Sequence, residues 1–158
     1  MSTLEMPEFD PVLDRYIEDI EGLGNGPLNR LHSARIYTVR DLSYVSKSDI
    51  LKIRNCGVVT AQKIFDWAEV HNISISEKYK DLKECYDFSA GDKIMMRLDV
   101  NKNFHKVWGF NFTRGDIGTI ADDFQSLRFC LNQYTVRTID GRRFWVTPGM
   151  IVNLKDFK

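Results

Sequence analysis

A short segment around position 57 combines glycine, hydroxyl and cationic residues at a spacing that could hold phosphate groups. Gly57 follows Arg54 and Asn55, and Thr60 and Lys63 come next along the chain. Asn and Gly tolerate positive φ, so Asn55 and Gly57 predict a tight turn. A small residue at such a turn lets backbone amides and a helix N-terminus approach a phosphate closely. The segment is therefore a candidate nucleic-acid contact.

Two helices are expected to position this turn. Leu51 and Ile53 before it, and Ala61 and Ile64 after it, have helical apolar spacing and are predicted to face inward. Ser48 is predicted to cap the first helix, because its side-chain oxygen can accept a bond from a first-turn amide. This arrangement resembles a helix-hairpin-helix motif. A helical hairpin within an ordinary all-α core would have the same apolar spacing, so that alternative stays open.

The residues that flank the motif extend the likeness. In chain order they are Phe9-Asp10-Pro11, the acidic-apolar run 17–20, Asn29-Arg30-Leu31, the segment 37–42 that ends in Asp-Leu, the turn 55–57 and a final helix 60–71. Together these segments resemble the C-terminal domain of the bacterial RNA polymerase alpha subunit. The resemblance implies a small all-α domain that binds DNA. Its nucleic-acid-binding residues here would be Asn29, Arg30, Arg54, Gly57, Thr60 and Lys63.

Other positions depart from the family's pattern. The family's Arg that enters the DNA minor groove aligns with Gly26, and the positions after the hairpin glycine that usually hold phosphates are Val58 and Val59. Phosphate contacts supply most of the non-specific affinity for DNA. The departures therefore predict weak DNA binding with a shallow salt dependence, and they favour a protein-binding adaptor over a direct DNA binder.

After residue 85 the pattern changes to short strands and turns. Asp140-Gly141 lies between two alternating runs, which is the strongest short-range indication of a β-hairpin. Predicted strands cover residues 93–98, 117–121, 129–131, 134–139, 142–146 and 151–154, with a turn at 147–150. This order resembles SH3-like modules of transcription and translation proteins and predicts a small SH3-like β-barrel. An OB-like barrel or a partly open sheet is the alternative.

The long loop between the first two strands is rich in aromatic side chains. A stacking surface for single-stranded nucleic acid, or a cleft for a partner peptide, would use such side chains. The candidate partner-binding residues are Phe104, Trp108, Phe110 and Phe112. Alternatively, these aromatics seal the barrel end or pack against the helices, because a domain this small needs aromatic area for its stability.

The chain length, 158 residues, suits one large domain or two small ones. We expect an α+β protein with a helix-hairpin-helix domain at 1–75, a charged linker at 76–85 and an SH3-like β-barrel domain at 86–158, each domain folding by itself. Residues 1–85 hold 11 basic and 14 acidic side chains, whereas residues 86–158 hold 11 and 8. An acidic helix-hairpin-helix half is unusual for a dedicated DNA binder.

The sequence contains no familiar catalytic or metal-binding motif. His32, His71 and His105 are far apart and lack metal-ligand spacing, and the adjacent acidic pair Asp122-Asp123 falls in a predicted loop. The three cysteines are widely spaced with no Cys-x-x-Cys pair, which argues against disulfides and against zinc. We therefore expect no enzymatic activity, no cofactor and no metal.

The composition is typical of a cytoplasmic protein. No apolar run approaches the ~20 residues of a membrane span, and the N-terminus lacks the basic and apolar regions of a signal peptide. We predict a transcription-linked accessory or regulatory binding protein of a bacterium, a phage or a mobile element. It would be an adaptor to RNA polymerase or another regulator, with weak DNA binding. The alternative is a direct DNA-binding protein of the repair or recombination type that uses the helix-hairpin-helix.

Overall fold

The computed structural model describes residues 8–75, 88–99, 113–124 and 133–156. Within these ranges the chain is mixed, with helices in the first half and an antiparallel sheet in the second. The α+β prediction is therefore confirmed at the level of class. The parts of the prediction that lie outside the described residues are the linker 76–85 and the aromatic side chains Phe104, Trp108, Phe110 and Phe112.

Short helices make up the first half. They are α1 (Asn25–Ser33), α2 (Val39–Ser43), α3 (Lys47–Leu51) and α4 (Val58–Val70), preceded by a 3-10 turn at Ile17–Asp19. Helices as short as α2 and α3 are marginal in isolation, so their stability depends on capping and on packing.

Capping boxes begin both α2 and α3. The Thr38 hydroxyl accepts a bond from the Asp41 amide, and the Asp41 carboxylate accepts one from the Thr38 amide. Ser46 and Asp49 form the same reciprocal pair at the start of α3. Such pairs satisfy two backbone donors that a helix start otherwise leaves free. The prediction that Ser48 caps α3 is wrong, because Ser46 occupies the cap position two residues earlier.

The apolar faces of the helices meet in one core. Ile50, Ala61 and Ile64 are fully buried and Ile53 is nearly so, which confirms the predicted inward positions. The prediction that Leu51 faces inward is wrong, since its side chain is 45% exposed. Consecutive helical residues point about 100° apart, so an inward Ile50 directs its neighbour outward. The same core also contains Ile17, Leu31, Ile36, Leu42, Val45 and Trp67.

Five antiparallel strands form the sheet of the second half. They are β1 (Lys93–Met96), β2 (Ile117–Phe124), β3 (Gln133–Arg137), β4 (Arg143–Val146) and β5 (Ile151–Asn153). Their order in the sheet is β4-β3-β2-β1-β5. The first four strands pair as a meander, and β5 returns to pair with β1. In the described part of the chain β4 and β5 are the two edges, and the pairings there leave the sheet open.

The predicted turns between the last strands are confirmed. Gly141 has a φ of +86°, which glycine adopts without strain, and it lies in the turn of residues 138–142 that joins β3 to β4. Residues Pro148–Met150 form a 3-10 turn that leads into β5. The pairing of β2 with β3 shifts register between Ile120 and Asp122, which marks a β-bulge. The predicted strand at 129–131 lies outside the described residues.

Two tyrosines from the helical half complete the core of the sheet. Tyr16 packs among the buried strand residues, and its hydroxyl donates to the Asp99 carbonyl at 2.6 Å. Tyr37 lies against the same core, with its ring centroid 5.3 Å from that of Trp145. The Ile17 amide donates to the Tyr37 carbonyl at 2.9 Å, so main-chain bonding holds the two tyrosine segments side by side. The helices and the sheet therefore share buried contacts.

Asp41 makes the most deeply buried polar contact between the two halves. Its carboxylate accepts bonds from the Thr147 hydroxyl at 2.5 Å and from the Gly149 amide at 2.7 Å. Removal from water raises the pKa of Asp41, while these hydrogen bonds oppose that rise. The same carboxylate caps α2, so one side chain satisfies donors from both halves. This contact joins residues of the predicted helical domain to residues of the predicted barrel domain.

Candidate functional site

The turn between α3 and α4 has its positive φ at Asn55. The φ of Asn55 is +64°, as predicted, whereas Gly57 has φ −77° and ψ 173°. Gly57 is thus in extended backbone that any residue adopts, and the expectation that it needs a positive φ is wrong. A Cβ added at Gly57 would meet nothing within 4 Å. The glycine leaves open space at the start of α4 and relieves no strain.

Gly57 is the N-cap of α4. Its carbonyl accepts the Ala61 amide at 2.9 Å, but it has no side chain to accept bonds from the amides of the first turn. Thr60, the last residue of that turn, is half-buried. Amides without helical partners and the helix dipole both make such an end electropositive.

Apolar side chains surround this electropositive helix end. Val58 is 74% exposed and Val59 is 72% exposed, at the first two positions of α4. Leu51, at the end of α3, is also exposed. The side chain of valine offers no donor to a phosphate, although its backbone amide does, and exposed apolar side chains are available for protein contacts. We use the name hairpin face for the exposed residues Leu51, Lys52, Arg54, Val58, Val59 and Lys63.

Three cations contribute to the hairpin face. Lys52, Arg54 and Lys63 are exposed, and none of them makes an ion pair within the ranges that the structure describes. Lys63 follows Val59 by one helical turn, so the two lie on the same side of α4. Val59 and the positive charge of Lys63 therefore belong to one side of α4, while Leu51, Lys52 and Arg54 are exposed in the segment that leads into that helix.

Helix α1 lies beside the turn and carries the remaining predicted contacts. Burial raises the pKa of the Cys56 thiol, and the positive charge of Arg30 on α1 opposes that rise. Asn29 is its exposed neighbour on α1. Gly26 is exposed in the first turn of α1 with open space around it.

The hairpin face differs in charge from the rest of the helical half. Residues 51–63 contain three basic side chains and no Asp or Glu. Asp66, the first carboxylate after this stretch, accepts a bond from Gln62 at 2.9 Å. Acidic residues concentrate instead at 8–21, where six carboxylates accompany one cation. The exposed valines thus lie in a locally basic stretch of an otherwise acidic half.

Sequence reasoning missed the buried polar cluster at Asp41. The indication was present, because Thr38-x-x-Asp41 and Ser46-x-x-Asp49 both match the capping-box pattern. That pattern predicts the helix starts. It does not predict that Asp41 also accepts bonds from the far half of the chain.

An aromatic stack beside the sheet was also missed. The His32 ring lies 4.5 Å from the Tyr37 ring, between centroids, with 23° between the ring planes. Burial lowers the pKa of His32, and its Nε2 is buried without a hydrogen-bond partner among the described residues. Tyr37 in turn contacts Trp145, so the stack connects α1 to β4.

The described residues contain no group of three His, Cys, Asp or Glu side chains that could hold a metal ion. No helix in the described ranges has the length and the apolar character needed to cross a membrane. No protein-family model, curated protein or solved structure matches this chain.

Proposed function

We propose that this chain is a cytoplasmic, transcription-linked accessory or regulatory protein that acts as an adaptor to RNA polymerase or to another regulator. Its helical half docks to the transcription protein and binds DNA only weakly. The observation that carries the proposal is the hairpin face. There, exposed Val58 and Val59 occupy the positions that hold phosphates in the polymerase alpha C-terminal domain.

The arrangement of the helical half supports the likeness to that domain. A short α3, a turn with positive φ at Asn55 and a longer α4 that starts after Gly57 follow the expected order. The scaffold that presents a hairpin is thus present, while the residues presented at its tip are changed.

The strand order of the second half supports an SH3-like barrel at residues 86–158. A four-strand meander, with β5 beside β1 and a 3-10 turn at Pro148–Met150, is typical of that class. We assign this module the second contact of the adaptor, with a peptide or a single nucleic-acid strand. Its contact residues are the aromatic side chains Phe104, Trp108, Phe110 and Phe112.

Weak DNA binding follows from the small number of available cations. Each neutralised phosphate contributes about −0.9 to the slope of log affinity against log salt concentration. If Lys52, Arg54 and Lys63 each neutralise one phosphate, the slope is about −2.7. A protein that makes roughly 6–10 phosphate contacts has a much steeper slope.

A direct DNA-binding role of the repair or recombination type is the second candidate. The electropositive start of α4 and its exposed cations favour it, because anions bind well at a helix N-terminus. In that role, charge reversal at Arg54 and Lys63 would abolish binding, whereas replacement of Val58 and Val59 would leave binding intact.

Binding of the full chain to immobilised bacterial RNA polymerase tests the proposal. Core enzyme and holoenzyme are compared with a random-sequence DNA duplex at several salt concentrations. Saturable polymerase binding, with weaker and shallowly salt-dependent duplex binding, is the expected result. Tight duplex binding with a steep salt slope and no polymerase binding would favour the second candidate.

A further inference from the structure

We infer that the hairpin face binds an acidic segment of a partner protein that also carries apolar side chains. This inference rests on the proposed adaptor function and adds the chemistry of the partner to it. The face presents two features that an occupant has to match. One is exposed apolar surface area. The other is a set of cations that make no ion pair within the part of the chain that the structure describes.

The apolar feature has no role within α4 itself. Helix starts favour Ser, Thr, Asp or Asn at the cap and acidic residues in the first turn. Here Gly57 is the cap, the first turn contains no acidic residue, and two exposed β-branched side chains follow. Valine has only modest helix propensity, so Val58 and Val59 add little to the helix. Apolar area that is removed from water by a partner would stabilise a complex.

The charged feature selects an acidic occupant. Lys52, Arg54 and Lys63 are exposed in the same stretch of chain as the valines, with Lys63 one helical turn after Val59, and the stretch 51–63 contains no carboxylate. Carboxylates on a partner would complement these cations and speed association through electrostatic steering. A nucleic-acid backbone would also complement the cations, but it would place charged oxygens against the valines. An acidic protein segment with apolar side chains matches both features.

The chain's own acidic stretch at 8–21 resembles such an occupant in composition. Phe9 and Val12 are exposed there. However, Asp10 already accepts bonds from the Val12 and Leu13 amides, and Asp14 already pairs with Arg40. Asp10 and Asp14 are therefore engaged within the chain, and the Phe9 ring already lies 5.6 Å from the Arg114 guanidinium, which favours a separate protein as the occupant.

Amide NMR titrations of the full chain test the inference with three synthetic peptides and a DNA duplex. The first peptide carries Glu and Leu at helical spacing, the second replaces Leu by Ser, and the third replaces Glu by Lys. We expect the Glu–Leu peptide to shift the amides of residues 51–63. The other two peptides should bind at least about tenfold more weakly, because each lacks one of the two matching features.

Surface variants locate the contact. V58S combined with V59S, and separately K52E combined with R54E and K63E, should each weaken binding of the Glu–Leu peptide at least about tenfold. The matched control is V70S, because Val70 is 77% exposed at the other end of the same helix. All of these side chains are exposed, and an unchanged melting temperature confirms that each variant is folded.

Four results would overturn the inference. The first is that no peptide binds the chain, and the second is that every anionic probe binds equally well whether or not the valines are present. The third is that only the DNA duplex binds. The fourth is self-association of the chain, measured by sedimentation, that the hairpin variants abolish. Polymerase binding that survives in the hairpin variants would also overturn it while leaving the adaptor function intact. Conversely, peptide binding at residues 51–63 without any polymerase binding would support this contact chemistry and contradict the transcription assignment.

Discussion

The Gly149 amide donates a 2.7 Å hydrogen bond to the Asp41 carboxylate, across 108 positions of sequence. The same carboxylate accepts bonds from the Thr147 hydroxyl and from the Tyr37 and Thr38 amides. Four donors therefore converge on one fully buried side chain. Because one pair of oxygens satisfies both the start of α2 and the turn before β5, the helical half and the sheet are held in a fixed relation.

Asp41→Asn should strongly destabilise the protein. The variant keeps the side-chain shape but places an NH2 group where only donors point, so either orientation of the amide leaves buried donors facing each other. We expect the free energy of unfolding to fall by about 3 kcal/mol, measured by urea denaturation. Asp49→Asn is the matched control, because Asp49 makes the same capping box without the bonds to Thr147 and Gly149. The free energy of unfolding of Asp49→Asn should fall by only about 1 kcal/mol. Equal losses for the two variants would contradict an added stabilisation by the bonds from Thr147 and Gly149 to Asp41.

The two halves should unfold in a single transition. Trp67 is buried in the helical core and Trp145 lies on β4 against Tyr37, so the two indoles report on different halves. Trp108 is the third tryptophan of the chain, so W67F combined with W108F leaves only Trp145, and W108F combined with W145F leaves only Trp67. Fluorescence of these two variants, compared with far-ultraviolet circular dichroism, should give coincident urea curves. Two separate transitions would instead support independently folding domains.

Gly149→Ala should be destabilising for a reason that local sequence does not reveal. An added Cβ would lie 2.6 Å from Asp41 Oδ1 and 2.7 Å from the Asp41 nitrogen, and it would also meet Thr38 Oγ1. The backbone or the Asp41 and Thr38 side chains must shift to make room for the Cβ, so we expect the free energy of unfolding to fall by about 2–4 kcal/mol. Gly26→Ala is the control, since Gly26 lies in α1 with open space around it and should gain about 0.5–1 kcal/mol. A neutral Gly149→Ala in thermal melts would contradict the close approach.

Elements that depend on neighbours in sequence could be predicted, and contacts between distant residues could not. The turn at Asp140-Gly141 and the strands around it follow from alternation and from a glycine with positive φ. Ser46 and Ser48 are both plausible caps of α3, but only Ser46 has an acidic residue three positions later, Asp49, so the capping-box pattern itself distinguishes the two. The Asp41 carboxylate meets partners more than 100 residues away, which no local pattern encodes.

The candidate site shows the same division. The position of the hairpin follows from Asn55 and from the apolar spacing of α4. Leu51 was predicted to be core, because an apolar residue beside Ile50 gives no local indication of which of the two faces outward. The three-dimensional structure was needed to show that Leu51, like Val58 and Val59, is exposed.

Stability should depend on pH through His32. Burial lowers its pKa below the usual 6.5. Between the lowered pKa and 6.5 the unfolded chain binds more protons than the folded one, so the free energy of unfolding rises with pH in that window. The contribution of the neutral His32 side chain to the free energy of unfolding is fully present above pH 6.5. It is lost as the pH falls through the lowered pKa of His32. His32→Phe keeps a ring against Tyr37 and does not titrate, so the difference between wild type and variant isolates the effect. Parallel pH profiles for the two proteins would contradict it.

Substitutions at the hairpin should separate the roles of Asn55 and Gly57. Gly57 has ordinary extended backbone at the N-cap of α4, so Gly57→Ser should be accepted. The serine hydroxyl can accept a hydrogen bond from an amide of the first turn of α4. We expect this bond to raise the free energy of unfolding by a few tenths of a kcal/mol, measured by thermal melts. Asn55 has a φ of +64°, where a Cβ-branched residue is strained, so Asn55→Val should cost about 1–3 kcal/mol. Asn55→Gly is the control and should lie close to wild type. If Gly57→Ser lost more stability than Asn55→Val, the positive φ would belong to Gly57, and the exposed positions of Val58 and Val59 at the start of α4 would need to be reassigned.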